Sequence, residues 1–405
     1  MFQWLRGHGT QHSNSESHFT AFTTMALIQT RVKPAQAREF SLSQARAIVQ
    51  DEFAPRAWIY WADFLVSILG GMFCYAQVRK QEFGSWQQAL FFAGSVYGIY
   101  RAVNFIHELV HLRSGTMRAF RFVWNLLCGI PMLVPSFIYY THLDHHRRNH
   151  YGTDLDGEYI PLGSQSRRAI VLYLLQPLVI PVLAYARFML LTPLAWVSPA
   201  VRRWVYEHAS SMVMDPKYVR PYPTKQTLWV WRLQEGVCCL WTWAAVILLI
   251  RGFSSEVDPD SYARPVLNGV LPLSIFLQMY VTGVVVLMFN MVRTLGAHRF
   301  LNDGGEMTFA EQLLDSVNYD RWPLLTGIWA PVGLRFHALH HLFPSLPYHN
   351  LARAHRKLLA ELPADSIYRL SNAPSLWSVL RDVWQAARAA EEVRQSPTIP
   401  QRRAA

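Results

Sequence analysis

A chain of 405 residues that is 51% hydrophobic, 14% aromatic and only 16% charged is not composed like soluble domains, which carry roughly 25% charged residues. Its net charge of +11 comes with no nucleic-acid recognition motif, so it is read as cationic loops beside membrane segments, held on the cytoplasmic side against anionic lipid. Cys74, Cys128, Cys238 and Cys239 lie in hydrophobic segments without disulfide or zinc-knuckle spacing, and are expected to be core thiols.

Residues 1–20 are polar, lack the apolar stretch of a signal peptide and are expected to be a disordered tail. Residues 386–405 are expected to form a second such tail, leaving 21–385 as one membrane domain. After an interfacial lead-in over 21–55, two membrane-length runs follow, Trp58–Val78 and Trp86–Ile106, joined by a short loop. The second leads straight into HELVH, with His107 and His111 one helical turn apart.

Phe122–Tyr140 is apolar but broken by Pro131 and Pro135, and HLDHHRRNH follows it. If the histidines before and after this run serve one centre, it cannot cross the membrane once; a re-entrant or interfacial helical pair is the consistent form. Ala169–Val197, interrupted by Pro177, Pro181 and Pro193, is read the same way. Gly236–Ile250 and Gly269–Val292 are two better crossings; the loop RGFSSEVDPDSYAR between them suits the outer side. The expected fold is all-α and polytopic: about four transmembrane helices, re-entrant or interfacial helices, and a cytoplasmic helical cap. No fixed-period repeat is visible.

Three histidine clusters recur along the chain: His107 and His111; His142, His145 and His146; His337, His340 and His341. Positions i, i+3 and i+4 share one helix face, so each cluster is a metal-binding surface. Eight imidazoles exceed what a single zinc takes and suit two ions with open positions. HELVH also fits the H-E-x-x-H zinc-protease pattern with Glu108 as base, but that reading leaves both H-x-x-H-H clusters unused. A metal transporter would place its ligands at the bilayer midplane, whereas these lie at helix ends and in polar loops.

The order H-x-x-x-H, H-x-x-H-H, H-x-x-H-H, with HALHHLFPSLPYHNLARAH and HLDHHRRNHYGTDLDGEY around the later boxes, resembles the membrane fatty acid desaturase family, which includes hydroxylases. The resemblance spans roughly 85–385. It implies two irons, O2 as co-substrate and a lipid or acyl substrate, with no bound haem or flavin. His298 in RTLGAHRF looks like the family's further ligand; the Asn that can precede it by four residues is Thr294 here, and Asn290 is two turns away. The implied ligand set is His107, His111, His142, His145, His146, His298, His337, His340 and His341, with His150 a further candidate.

Glu108, Asp144, Asp154, Asp156 and Glu158 are candidates to orient the imidazoles through their second ring nitrogen; Asp315 could join them only through folding. His349 and His355 are expected at the surface, and His8, His12, His18 and His208 belong to no cluster. Arg147, Arg148, Arg299 and Arg335 could meet an anionic substrate, an acidic donor or lipid phosphate. With no haem-binding His-Pro-Gly-Gly and no four-cysteine iron–sulfur pattern, electrons would come from an external donor such as a ferredoxin. Desaturation is the expected outcome; hydroxylation of a fatty acid or alkane, or decarboxylation to a terminal alkene, are the alternatives on the same scaffold.

Overall fold

Residues 40–113, 115–254 and 271–395 are described in a computed structural model. The expected tail 1–20 and most of the loop assigned to the outer side lie outside the described residues. Helices α1 (Ala57–Val78) and α2 (Trp86–His111) form the first pair. Ser85 caps α2 by accepting from Gln88 N at 3.2 Å. The pair meets backbone to backbone: a Cβ on Gly98 would lie 2.6 Å from Gly71 Cα and 2.7 Å from Ser67 O. In lipid, such close packing, rather than hydrophobic burial, associates helices. Asp63 of α1 binds Arg101 of α2 through two bonds of 2.7 and 2.5 Å, and the Tyr348 hydroxyl joins Asp63 at 2.8 Å. The charge is thus paired within the apolar span.

The Pro-broken run doubles back, as expected. Asn125 Nδ2 donates to Ser136 Oγ at 3.0 Å and Ser136 N to Asn125 Oδ1 at 2.9 Å. Leu133 adopts a left-handed φ of 57° between the two prolines, and Arg121 reaches the Tyr140 hydroxyl at 2.6 Å. A segment whose ends touch makes no net crossing. The short helix α3 (His142–His145) therefore starts on the side where α2 ends.

The next apolar stretch begins with α4 (Arg167–Leu175) and includes Ile180–Val197, one of five helices among the described residues that are long and apolar enough to cross a membrane. It too returns to its origin: Met214 N and Asp215 N both donate to Gly157 O, at 2.8 and 3.0 Å. Its turn is pinned by Arg187, which donates to Ala209 O, Thr192 Oγ1, Ser210 Oγ and Glu235 Oε1 at 2.6–3.0 Å. Four matched acceptors make a cation tolerable in an apolar setting.

Helix α5 (Lys225–Ser254) starts eleven residues before the expected Gly236, because hydropathy marks the apolar stretch while the helix continues into polar sequence. Helix α6 (Leu273–Leu295) runs against α1 and α2. Tyr75 bonds Ile275 O and accepts Gln278 Nε2 at its own carbonyl, at 3.3 and 2.8 Å, so α6 starts at the end of α1 far from the histidines and finishes beside them.

The cap holds α7 (His337–Leu342), α8 (Leu351–Glu361) and α9 (Leu376–Gln395). Asn318 knits it: its backbone pairs with Ser371 and Ala373, and its Oδ1 takes Leu339 N at 3.1 Å. Helix α9 corrects the expected tail from 386. It continues to Gln395, with Ala386 and Ala387 buried. The charged residues that suggested disorder are clasps: Glu391 takes Arg167 Nε at 2.8 Å, and Arg394 donates to Ser164 O at 2.8 Å.

Gly98→Leu should separate α1 from α2, since its side chain would meet backbone that cannot yield. Overpacking costs about 1–3 kcal/mol where side chains can adjust, so a loss at or above that range is expected. Thermal unfolding in detergent reads it, and an unchanged midpoint would remove the glycine contact from the stability argument.

Candidate metal centre

All nine histidines of the expected set come together, in two groups. His107, His111, His142, His146 and His340 form one; His145, His298, His337 and His341 form the other; within each, the donor nitrogens lie within 4.8 Å of one another. The division follows helical geometry. Each i, i+4 pair (107/111, 142/146, 337/341) stays within one group, while the i+3 residue crosses to the other: His145 joins the third box, His340 the first two. The rotation of roughly 100° between i+3 and i+4 on a helix is what aims neighbouring imidazoles at two separate points.

The spacings suit ions. At a metal–nitrogen bond of ~2.1 Å, two imidazoles ~90–110° apart about an ion stand ~3.0–3.4 Å from each other. Here His142–His146 Nε2 atoms are 2.9 Å apart, His337–His341 3.1 Å, His298–His337 2.9 Å and His145–His298 3.3 Å. His340 Nε2 sits 3.1 Å from both His111 and His146 Nε2, and neither nitrogen of buried His107 has any hydrogen-bond partner. Buried polar atoms left in this way fit a metal better than a hydrogen-bonded core.

Carboxylates set the orientation. Asp156 Oδ2 accepts from His145 Nδ1 at 2.7 Å and Glu158 Oε2 from His142 Nδ1 at 2.8 Å. His298 Nδ1 meets the Tyr151 hydroxyl at 2.8 Å, and that hydroxyl donates to Asp315 Oδ2 at 2.7 Å. With Nδ1 carrying the proton, Nε2 keeps its lone pair toward the group. Burial, then neighbouring imidazoles, holds His142, His146, His337, His340 and His341 well below the usual histidine range, in the neutral form that binds metal. Burial opposes charge at His145 as well, but the Asp156 carboxylate outweighs it and raises that histidine. Burial also pushes the Glu158 carboxyl up to about 8.

Three of the five acids expected to orient imidazoles do something else. Glu108 accepts from Tyr60 at 2.6 Å and Tyr348 N at 3.2 Å, tying the cap to α1; one residue on from His107, it is rotated ~100° off the histidine face. Asp144, off the face for the same reason, pairs with Arg147 at 2.8 Å and the Tyr218 hydroxyl at 3.2 Å. Asp154 is exposed on the loop. His150 stays outside both groups, 3.6 Å from Asp144. His355, expected at the surface, is buried against Tyr368 at 2.7 Å, and His349 is half-buried, accepting Arg56 N. Arg299 donates to Leu314 O and Leu370 O, and Arg335 to Tyr319 O and Thr326 Oγ1, so both half-buried guanidinia are engaged within the fold. Asp315 and Tyr151 carried no local signal in the sequence: they are ordinary loop and helix-end residues until the fold places them.

A small cavity touches both groups, at His107 and His142 of the first and His145, His298 and His337 of the second. Tyr139, Glu158 and the Arg293–Thr294 turn of α6 complete its wall.

Residues 84–372 match the family model described as Fatty acid desaturase. The chain belongs to the fatty acid desaturase family. Over 363 residues, 87% of this chain and 95% of the relative, it is 38% identical to a ceramide hydroxylase of Caulobacter vibrioides (strain NA1000 / CB15N). No solved structure gives a significant match. The family model spans all three boxes and His298 of this desaturase-family chain, and so covers both imidazole groups.

His298 belongs to the four-membered group alone, so His298→Ala should lower bound metal from two ions per chain to about one, read by elemental analysis. Asp315→Asn should leave both ions but weaken one by roughly 10–100-fold. Two tightly held ions in His298→Ala would remove His298 from the ligand set.

Proposed function

We propose that this protein is a multi-pass membrane diiron oxygenase that hydroxylates a lipid, with a ceramide-like amide lipid as the favoured substrate. The observation that carries the reading is the pair of imidazole groups, five and four, opening on one cavity. The five-membered group would hold one iron and the four-membered group the other. When bound, two irons supply reductive O2 activation and removal of hydrogen from an unactivated C–H bond. Hydroxylation balances as R–H + O2 + 2 electrons + 2 protons giving R–OH + H2O.

The chain's own residues position and insulate. Asp156, Glu158 and the Tyr151–Asp315 pair fix the ring orientation of His145, His142 and His298. Tyr139 stacks on His142 at 4.8 Å and 12° and keeps water from that flank. The electrons come from an external donor such as a ferredoxin, for which exposed Arg147 and Arg148 beside the second box offer cationic contacts. The histidine side faces the cytoplasm in this reading.

Identity of 38% across nearly the whole of the hydroxylase relative favours hydroxylation. Desaturation is a second reading, supported by the HHLFP third box and the family match; it consumes the same O2 and two electrons and releases two waters. The zinc-protease alternative loses its base, because Glu108 is engaged with Tyr60 and Tyr348.

Expression in a host supplied with long-chain amide lipids, followed by lipid mass spectrometry, should give a product heavier by one oxygen, labelled from 18O2. A product lighter by two hydrogens would select desaturation. His145→Ala and His340→Ala, one from each group, should each abolish the product; retained turnover in either would sink the diiron reading.

A further inference from the structure

Arg293 lies in the last turn of α6, in the wall of the cavity that touches both imidazole groups. It is only 8% exposed. Its Nη2 donates to Asn290 Oδ1 at 2.8 Å, the Tyr100 hydroxyl lies alongside, and its Nε is buried with no acceptor. Glu158 lines the same cavity. Its Oε2 serves His142, while its Oε1 is buried with no partner. One unused guanidinium donor and one unused carboxyl oxygen thus share this small wall.

A site built for mid-chain methylenes would be lined by hydrocarbon there. Packing alkane against these two atoms would desolvate both without return, at a penalty that native interiors rarely carry. An amide supplies the matching pair, a carbonyl oxygen for the guanidinium and an N–H for the carboxyl oxygen. We propose that Arg293 and Glu158 bind the amide of an amide-linked lipid in this cavity, so that the carbon oxidised lies within a few bonds of the amide. The inference rests on the reading of the chain as a lipid oxygenase and adds which end of the lipid approaches the metals.

The test uses the full-length protein in detergent, without reductant, and a short-chain N-acyl sphingoid base against a hydrocarbon of equal length. The wild type should prefer the amide by about 10–100-fold, the range for a hydrogen bond to a charged group. Arg293→Met should bring the two affinities to parity while leaving two metal ions per chain. Should Arg293→Met not fold, the wild-type preference and the position of oxidation decide. Mass spectrometric fragmentation should place the oxygen on C2 or C3 of the acyl chain, or on the equivalent carbons of the base. Absence of preference in the wild type, retained preference in Arg293→Met, or mid-chain oxidation would each overturn the proposal. The mid-chain result would leave the oxygenase reading standing, whereas amide binding without any O2-dependent product would support this site and defeat that reading.

Discussion

Nine imidazoles crowded together can carry little charge between them, although Asp156 draws His145 toward its charged form, and that electrostatic condition governs the rest of the molecule. Several imidazolium ions within hydrogen-bond distance of one another, away from water, would repel too strongly to persist. The chain meets the condition by desolvating the rings and by placing Asp156, Glu158 and Asp315 where they hold protons on the outer ring nitrogens. The inward lone pairs are then left to face one another, an arrangement suited to binding cations. Glycine contacts between α1 and α2, the doubled-back apolar runs and the cap all hold the elements that carry those rings together.

Delivery of the rings is a problem of sidedness. The ends of α2 and α6 carry His107, His111 and His298, while the other histidines come from polar segments between and after the crossings. Two long apolar runs lie between these elements, and each ends where it began, at Asn125–Ser136 and at Gly157–Met214. Hydropathy alone would count Ile180–Val197 as a fifth crossing. The Gly157 junction shows that the stretch containing it contributes no net change of side.

Much of the histidine arrangement was legible because helical periodicity is local: i, i+3 and i+4 fix which rings share a face, whatever surrounds them. The requirement of one common side then made the Pro-broken run turn back. Partners that depend on tertiary placement were not legible. Asp315 reaches Tyr151 and His298 only once the cap is docked. Glu108 and Asp144, although inside the boxes, point off the histidine face, and the same periodicity that grouped the rings would have excluded them. The charged C-terminal sequence read as a tail because its partners, Arg167 and Ser164, lie over two hundred residues earlier. Arg293 gave no warning at all, since a cation at the end of a membrane helix is usually a lipid anchor.

The mixing of boxes has a consequence for biosynthesis. The first group joins His107 and His111 to His340, and the second joins His145 to His337 and His341. At roughly 5–20 residues per second, the ribosome takes on the order of ten to fifty seconds to pass from the first box to the third. By the end of that interval the nascent chain holds four of the five donors of the first group, His107, His111, His142 and His146, but only His145 and His298 of the second. Neither complete site exists until the third box has emerged and docked. A chain stalled before residue 337 would therefore come within one ring, His340, of the first group, yet would lack half of the second, His337 and His341.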